Sequence, residues 1–169
     1  MTSPEPAAGL IFLARIEGVT GRLVWLLQAI NGDPSRWTHV GVALGDGRVF
    51  EAQPGGAVIS PWSRYAGREV AVLRWELTPE KTAEITAEAR RRVGTPYNWT
   101  TYFYMAAYRL CLPLTTRWLR RRVSRSSRMI CSQAADDIYR VCGIHLFNDG
   151  RLPHDVTPGD IARLIRRAR

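Results

Sequence analysis

Lysine is almost missing from this chain. Lys81 is the only one among 24 Lys and Arg residues, so arginine carries the net charge of +9. Such a bias reflects the base composition of a genome as readily as a binding partner, and a solvated basic surface is its plainest reading. It still makes anionic surfaces (nucleic acid, membrane or cell-wall polymer) the natural contacts. Cysteine is scarce too. Cys111, Cys131 and Cys142 form no C-x-x-C pair and cannot all be bridged, which argues against a disulfide scaffold or a zinc site. Neither a metal nor another cofactor is called for. No apolar run reaches the roughly 20 residues that span a bilayer. The first residues, Met-Thr-Ser-Pro-Glu-Pro-Ala-Ala, lack the basic and apolar regions of a secretory signal. The expectation is a protein that is cytoplasmic as synthesised and needs a dedicated machine to reach any substrate outside.

What is present is ordinary for a globular fold. At 169 residues, with 46% hydrophobic and 23% charged residues, the chain can bury a proper core as one domain. Residues 1–8 read as a disordered lead-in and residues 9–169 as the domain, with no internal repeat and no dividing linker. Gly9–Arg15 is a first strand candidate. Arg22–Ile30 is an amphipathic helix with Leu23, Leu26, Leu27 and Ile30 on one side. Thr38–Leu44 and Arg48–Ala52 are strands joined by Gly45-Asp46-Gly47, a strong hairpin signal. Ala57–Ser60 and Glu69–Trp75 are further strands. Thr78-Pro79-Glu80 opens a helix that ends at Gly94. Strands early and helices late give an α+β class with a small antiparallel sheet packed against helices.

The chemistry concentrates around Arg128–Ile144. Ala134, Ile138, Tyr139 and Val141 mark an apolar stripe at helical spacing, and Gly143 supplies a stop. Cys131 then falls in the first turn, where unpaired N–H groups and the helix dipole favour the thiolate, the nucleophilic form. A catalytic thiol needs an imidazole and a group to orient it. His39, opening its strand, and Glu51, on the strand that follows, are the candidates. Hairpin pairing brings both to one end of the sheet, but whether they share a face depends on a register the sequence leaves open. Trp99–Leu110 is aromatic-rich and helical in spacing, which is more often core than pocket. Arg117, Arg120, Arg121, Arg122, Arg125 and Arg128 form a basic segment that can track phosphates, grip a partner or simply face solvent.

Three stretches together resemble the NlpC/P60 superfamily of papain-like cysteine peptidases and amidases. Gly94-Thr-Pro-Tyr-Asn-Trp99 resembles its G-x-P-Y-x-W motif. Cys131-Ser-Gln, with Asp137-Ile-Tyr and Gly143-Ile after it, resembles its nucleophile helix. Thr38–Ala52 resembles its histidine strand and the strand after it. The histidine precedes the cysteine here, which is similar to the circularly permuted branch, the YiiX/YebB-like and lecithin:retinol acyltransferase-like proteins. Val156-Thr-Pro-Gly-Asp-Ile161 is similar to a late segment of that branch. The resemblance implies a circularly permuted papain-like fold over roughly residues 9 to 162. It makes Cys131 the nucleophile, His39 the base and Glu51 the orienting residue, with Tyr97 lining the site and supporting the oxyanion.

The function expected on that resemblance is a cysteine amidase or peptidase working through an acyl-enzyme. Its substrate would be cell-wall peptide, with two routes open: action inside the cell, or delivery by a larger machine such as a phage tail or secretion apparatus. Two alternatives use the same residues differently: a lipid acyl hydrolase or acyltransferase, and a non-catalytic component of a larger particle. In the second of these, Arg117–Arg128 would bind DNA or a partner. No helix-turn-helix or zinc-finger pattern supports a free DNA-binding protein.

Overall fold

The computed structural model describes residues 4–30, 34–97 and 129–167. The aromatic segment Trp99–Leu110, the basic run Arg117–Arg128 and Cys111 lie outside the described residues. Five strands, β1 (Ile11–Ala14), β2 (His39–Gly45), β3 (Arg48–Gln53), β4 (Gly56–Pro61) and β5 (Val70–Val72), form an antiparallel sheet in the order β4-β3-β2-β1-β5. The helices among the described residues are α1 (Gly18–Ile30), α2 (Pro79–Arg91), α3 (Cys131–Val141) and α4 (Pro158–Arg167). The architecture is α+β, as the order of elements in the sequence predicts. Residues 4–8, read from sequence as part of a disordered lead-in, run beside the β2–β3 turn, where Gly47 N–H donates to Glu5 Oε1 at 3.0 Å.

Alternation along the strands divides the sheet into two unequal faces. Ile11, Leu13, Val40, Val42, Phe50 and Ala52 meet the helices in the main core, which includes Ile85 of α2, Ala134 and Ile138 of α3 and Ile161 of α4. The opposite face carries Phe12, Ala14 and Val49. Among the described residues a 3-10 turn, Trp62–Tyr65, covers it, with both aromatic rings packed edge-on to Phe12. Because both faces are covered, β2 is buried along nearly its whole length and reads as a continuous apolar run.

The hairpin forms where the sequence predicts it. Asp46 (φ 54°) and Gly47 (φ 69°) are both left-handed, as a two-residue turn matching strand twist requires. At Gly41 the constraint is space. A Cβ there would lie 2.5 Å from the Phe12 ring and 2.9 Å from the Phe50 carbonyl oxygen. Gly41→Ala is therefore expected to lower stability by about 1–3 kcal/mol, read as a shift in urea midpoint at unchanged m-value.

The inward face of α1 differs from the apolar side that spacing marks. Val24, Leu27 and Gln28 are buried, whereas Leu23, Leu26 and Ile30 are exposed. Two local constraints rotate the helix. Gly21 sits against the Ile16 carbonyl with no room for a Cβ. The Gln28 amide is satisfied inside, donating to Trp37 O at 3.0 Å and accepting from Gly159 N–H at 3.2 Å. Hydrophobic spacing alone cannot register a buried amide. The strand expected over 69–75 shortens to Val70–Val72, although Leu73 N–H still reaches Ile11 O at 2.9 Å.

α2 begins as its sequence indicates, with Thr78 Oγ1 accepting from Lys81 N–H and Pro79 in the first turn. Gly143 (φ 78°) terminates α3. Its N–H bonds Arg140 O at 3.0 Å and Ile144 N–H bonds Tyr139 O at 2.9 Å, the paired bonds of a Schellman cap. The lone lysine also serves this end, with Lys81 Nζ donating to Cys142 O at 2.7 Å. Val141 departs from the expected apolar stripe. It is exposed, and Ala135 fills the buried face instead. A reciprocal cap opens α4: Thr157 N–H donates to Asp160 Oδ2 at 2.9 Å and Asp160 N–H to Thr157 Oγ1 at 3.1 Å.

Candidate active site

The β2–β3 register resolves the relation between His39 and Glu51. Gly41 pairs directly with Glu51, so alternation puts His39, two residues earlier, on the same face as the carboxylate. His39 Nε2 lies 2.7 Å from Glu51 Oε2, and both side chains are buried. Ala14 is the cross-strand partner of His39 on the other side, and its small side chain leaves the imidazole room.

Cys131 reaches this pair from the helical layer. Ile130 precedes α3 in extended conformation, and the first helical bond is Ala134 N–H to Ile130 O at 2.9 Å. The N–H groups of Cys131, Ser132 and Gln133 therefore have no acceptor within the helix. Ser132 Oγ donates to Val156 O at 2.7 Å, which anchors the first turn. The His39 imidazole and the backbone N–H groups of Val40 and Ser132 all act on the Cys131 sulfur. Since Nε2 of His39 is engaged by Glu51, Nδ1 is the nitrogen left for sulfur. Cys131 and Glu51 thus both act on the His39 imidazole.

Charge in this group is set by partners that overcome burial. Burial alone would pull the His39 imidazole down, but the hydrogen bonds and negative charge of Cys131 and Glu51 lift it to about 9. For Glu51, burial pushes upward and is outweighed by His39, then by Ser60 and Tyr65, leaving it at about 2. Burial likewise pushes the Cys131 thiol up. The His39 imidazolium and the two backbone donors reverse this and hold it below the ordinary thiol range. These shifts all favour a thiolate–imidazolium pair braced by a carboxylate.

Sequence reasoning missed the collar around Glu51. Tyr65 OH donates to Oε2 at 2.5 Å, Gln53 Nε2 donates to Oε1 at 2.8 Å, and Arg64 Nη1 lies 3.4 Å from Oε1. Burial and the Glu51 charge push the Tyr65 phenol far up, so it remains a donor. Gln53 follows from strand alternation, being two residues from Glu51. Tyr65 and Arg64 lie in a 3-10 turn whose placement over the sheet carries no periodic signal. Beside this collar is a cleft of about 290 Å³ bordered by His39, Glu51, Gln53, Arg64, Tyr65 and Arg68.

Tyr97 is buried, and its backbone bridges Met129 in parallel, two residues before Cys131. The segment is tied to the sheet by Gly94 N–H to Ala57 O at 2.7 Å and Ala57 N–H to Thr95 O at 2.9 Å. The Gly94–Tyr97 stretch is thereby brought to the start of α3. Arg117, Arg120, Arg121, Arg122, Arg125 and Arg128 cannot be placed relative to the site, being outside the described residues. Among the described residues no helix is long and apolar enough to cross a membrane.

No family model matches the chain, and no curated protein does. Among solved structures the fold is similar to that of metalloprotein yiiX from Escherichia coli O157:H7, with a TM-score of 0.58 at 19% identity. The match covers 96% of this chain and 82% of that one. At such low identity the likeness is one of fold: a small antiparallel sheet with its helices, shared with a YiiX-like protein.

Proposed function

We propose that this chain is a cysteine amidase or peptidase of circularly permuted NlpC/P60 type, with Cys131 as nucleophile, His39 as acid–base and Glu51 as the group that orients it. The observation that carries the reading is the buried His39–Glu51 pair at 2.7 Å, with the buried Cys131 sulfur acting on the same imidazole. The position of the histidine strand ahead of the cysteine helix, and the likeness of fold to a YiiX-like protein, support the permuted order.

In this reading the Cys131 thiolate attacks a carbonyl carbon and the oxygen takes up negative charge. The N–H of Cys131 at the start of α3, without an acceptor inside the helix, is the natural donor to that oxygen, with Tyr97 in the supporting role its motif implies. His39, protonated in the resting pair, gives its proton to the leaving amine as the C–N bond breaks. It then takes a proton from water, which attacks the thioester and restores the thiolate. Glu51 keeps Nε2 protonated throughout. The described residues contain no group of three or more His, Cys, Asp or Glu able to hold a metal ion.

Cell-wall peptide is the substrate this reading favours, with delivery by a phage tail or secretion machine. Zymography on purified peptidoglycan, run beside an acyl-ester assay with Cys131→Ala as the blank, tests it. Clearing of peptidoglycan by the wild-type chain alone is expected. Turnover of the ester with no action on peptidoglycan would move the function to lipid acyl chemistry, and DNA binding with neither activity would favour a structural component.

A further inference from the structure

The rotation of α1 leaves an apolar stripe on the outside of the molecule. Val19, Leu23, Leu26 and Ile30 are 82%, 40%, 49% and 41% exposed. At 3.6 residues per turn these positions fall within an arc of roughly 60°, so they form one continuous line along the helix. Isolated exposed aliphatic residues are ordinary, but four in line on one helix are not. Arg22 and Trp25 flank the line on one side, and Trp25 is itself 48% exposed. α1 contains no acidic residue.

The flanking side opens onto a cleft of about 740 Å³ at the start of the helix. Arg15, Arg22 and Arg36 line it together with Trp25, Thr38 and a single carboxylate, Glu17. Arg36 is already paired with Glu69 at 2.7 Å and lies over the Trp37 ring. Arg15 and Arg22 are exposed and have no ion-pair partner among the described residues. An apolar stripe, an indole at its border and guanidinium groups at the same level match the layers of a bilayer surface: acyl chains, the interfacial zone and phosphate. The net charge of +9 selects the anionic kind.

We infer that α1 and the adjoining arginine-lined cleft dock the protein on an anionic phospholipid surface, with Val19, Leu23, Leu26 and Ile30 entering the acyl boundary and Arg15 and Arg22 meeting headgroup phosphates. Thr38 of the cleft immediately precedes His39, so docking brings the region of the site close to the membrane plane. The inference does not depend on the catalytic reading, because vesicle binding is measured without turnover.

Co-sedimentation of the full chain with phosphatidylglycerol/phosphatidylcholine vesicles, against pure phosphatidylcholine, tests it. Binding to the anionic vesicles is expected, weakened by salt and lost by roughly tenfold or more in Leu23→Glu/Leu26→Glu. Arg15→Gln/Arg22→Gln is expected to remove much of the preference for anionic lipid while leaving the apolar line intact. All four positions are exposed, so unchanged circular dichroism and Tm are expected in both variants. Wild-type binding by both variants would overturn the inference. So would light scattering that shows a dimer dissociated by Leu23→Glu/Leu26→Glu, because the stripe would then belong to a second copy of the chain.

Discussion

Cys131→Ala is expected to lower hydrolysis of the accepted substrate by at least about 10³-fold while the fold survives. In the proposed mechanism the sulfur forms the acyl bond. Its removal leaves His39 still bonded to Glu51, so the buried charge keeps its partner. A circular dichroism spectrum like that of the wild type, with Tm lowered by only a few degrees, is the expected control. His39→Ala is expected to cost a similar factor, and the double variant no more than either single one, because nucleophile and base act as a unit. Losses that multiply in the double variant would mean that the two residues act separately.

The second large effect is on Glu51. Glu51→Ala removes the counter-charge of His39 and strands the Tyr65 hydroxyl and the Gln53 amide. Breaking a buried pair this way costs about 3–5 kcal/mol, or a fall in Tm of roughly 10 °C for a chain of this size. Glu51→Gln keeps the volume and isolates the charge. It is expected to spare more of the stability but to cut turnover by about 10²–10⁴-fold, since the imidazole loses its orienting anion.

The pH dependence has a definite sign. His39 is raised from 6.5 to about 9, so its contribution is fully present below 6.5 and is lost as pH rises through about 9. Glu51 is lowered from 4.5 to about 2, so its contribution is present above 4.5 and is lost as pH falls through about 2. The stability gap between wild type and Glu51→Ala is therefore widest between 4.5 and 6.5 and closes toward both extremes. A gap independent of pH would show that Glu51 acts through packing alone.

Much of this site is legible in the sequence because local signals set its parts. The Asp46-Gly47 turn fixes the hairpin that brings Glu51 toward His39, and Gly143 together with the apolar spacing fixes the helix that Cys131 opens. Register was the missing step for His39 and Glu51, since a slip of one residue would have sent the two side chains to opposite faces. Tyr65 and Arg64 were not legible at all. Their 3-10 turn owes its place to packing of Trp62 and Tyr65 on Phe12, a contact between residues some fifty positions apart in the chain. The buried face of α1 was not legible for the same kind of reason. Gln28 counts as polar in any pattern, yet it is buried because two backbone groups meet it, one nine residues on at Trp37 and one far along the chain at Gly159.

The central claim is that Cys131 is a thiolate made by His39, and its reactivity profile tests this most directly. Cys131 and Cys142 are both buried, but burial and the Glu84 and Glu88 charges push the Cys142 thiol up. A faster reaction at Cys131 would therefore report its charge state. Iodoacetamide labelling at mildly acidic pH, followed residue by residue by mass spectrometry, is expected to modify Cys131 well ahead of Cys111 and Cys142. His39→Ala is expected to remove that lead. Equal, base-dependent labelling of all three cysteines, unchanged in His39→Ala, would contradict the account.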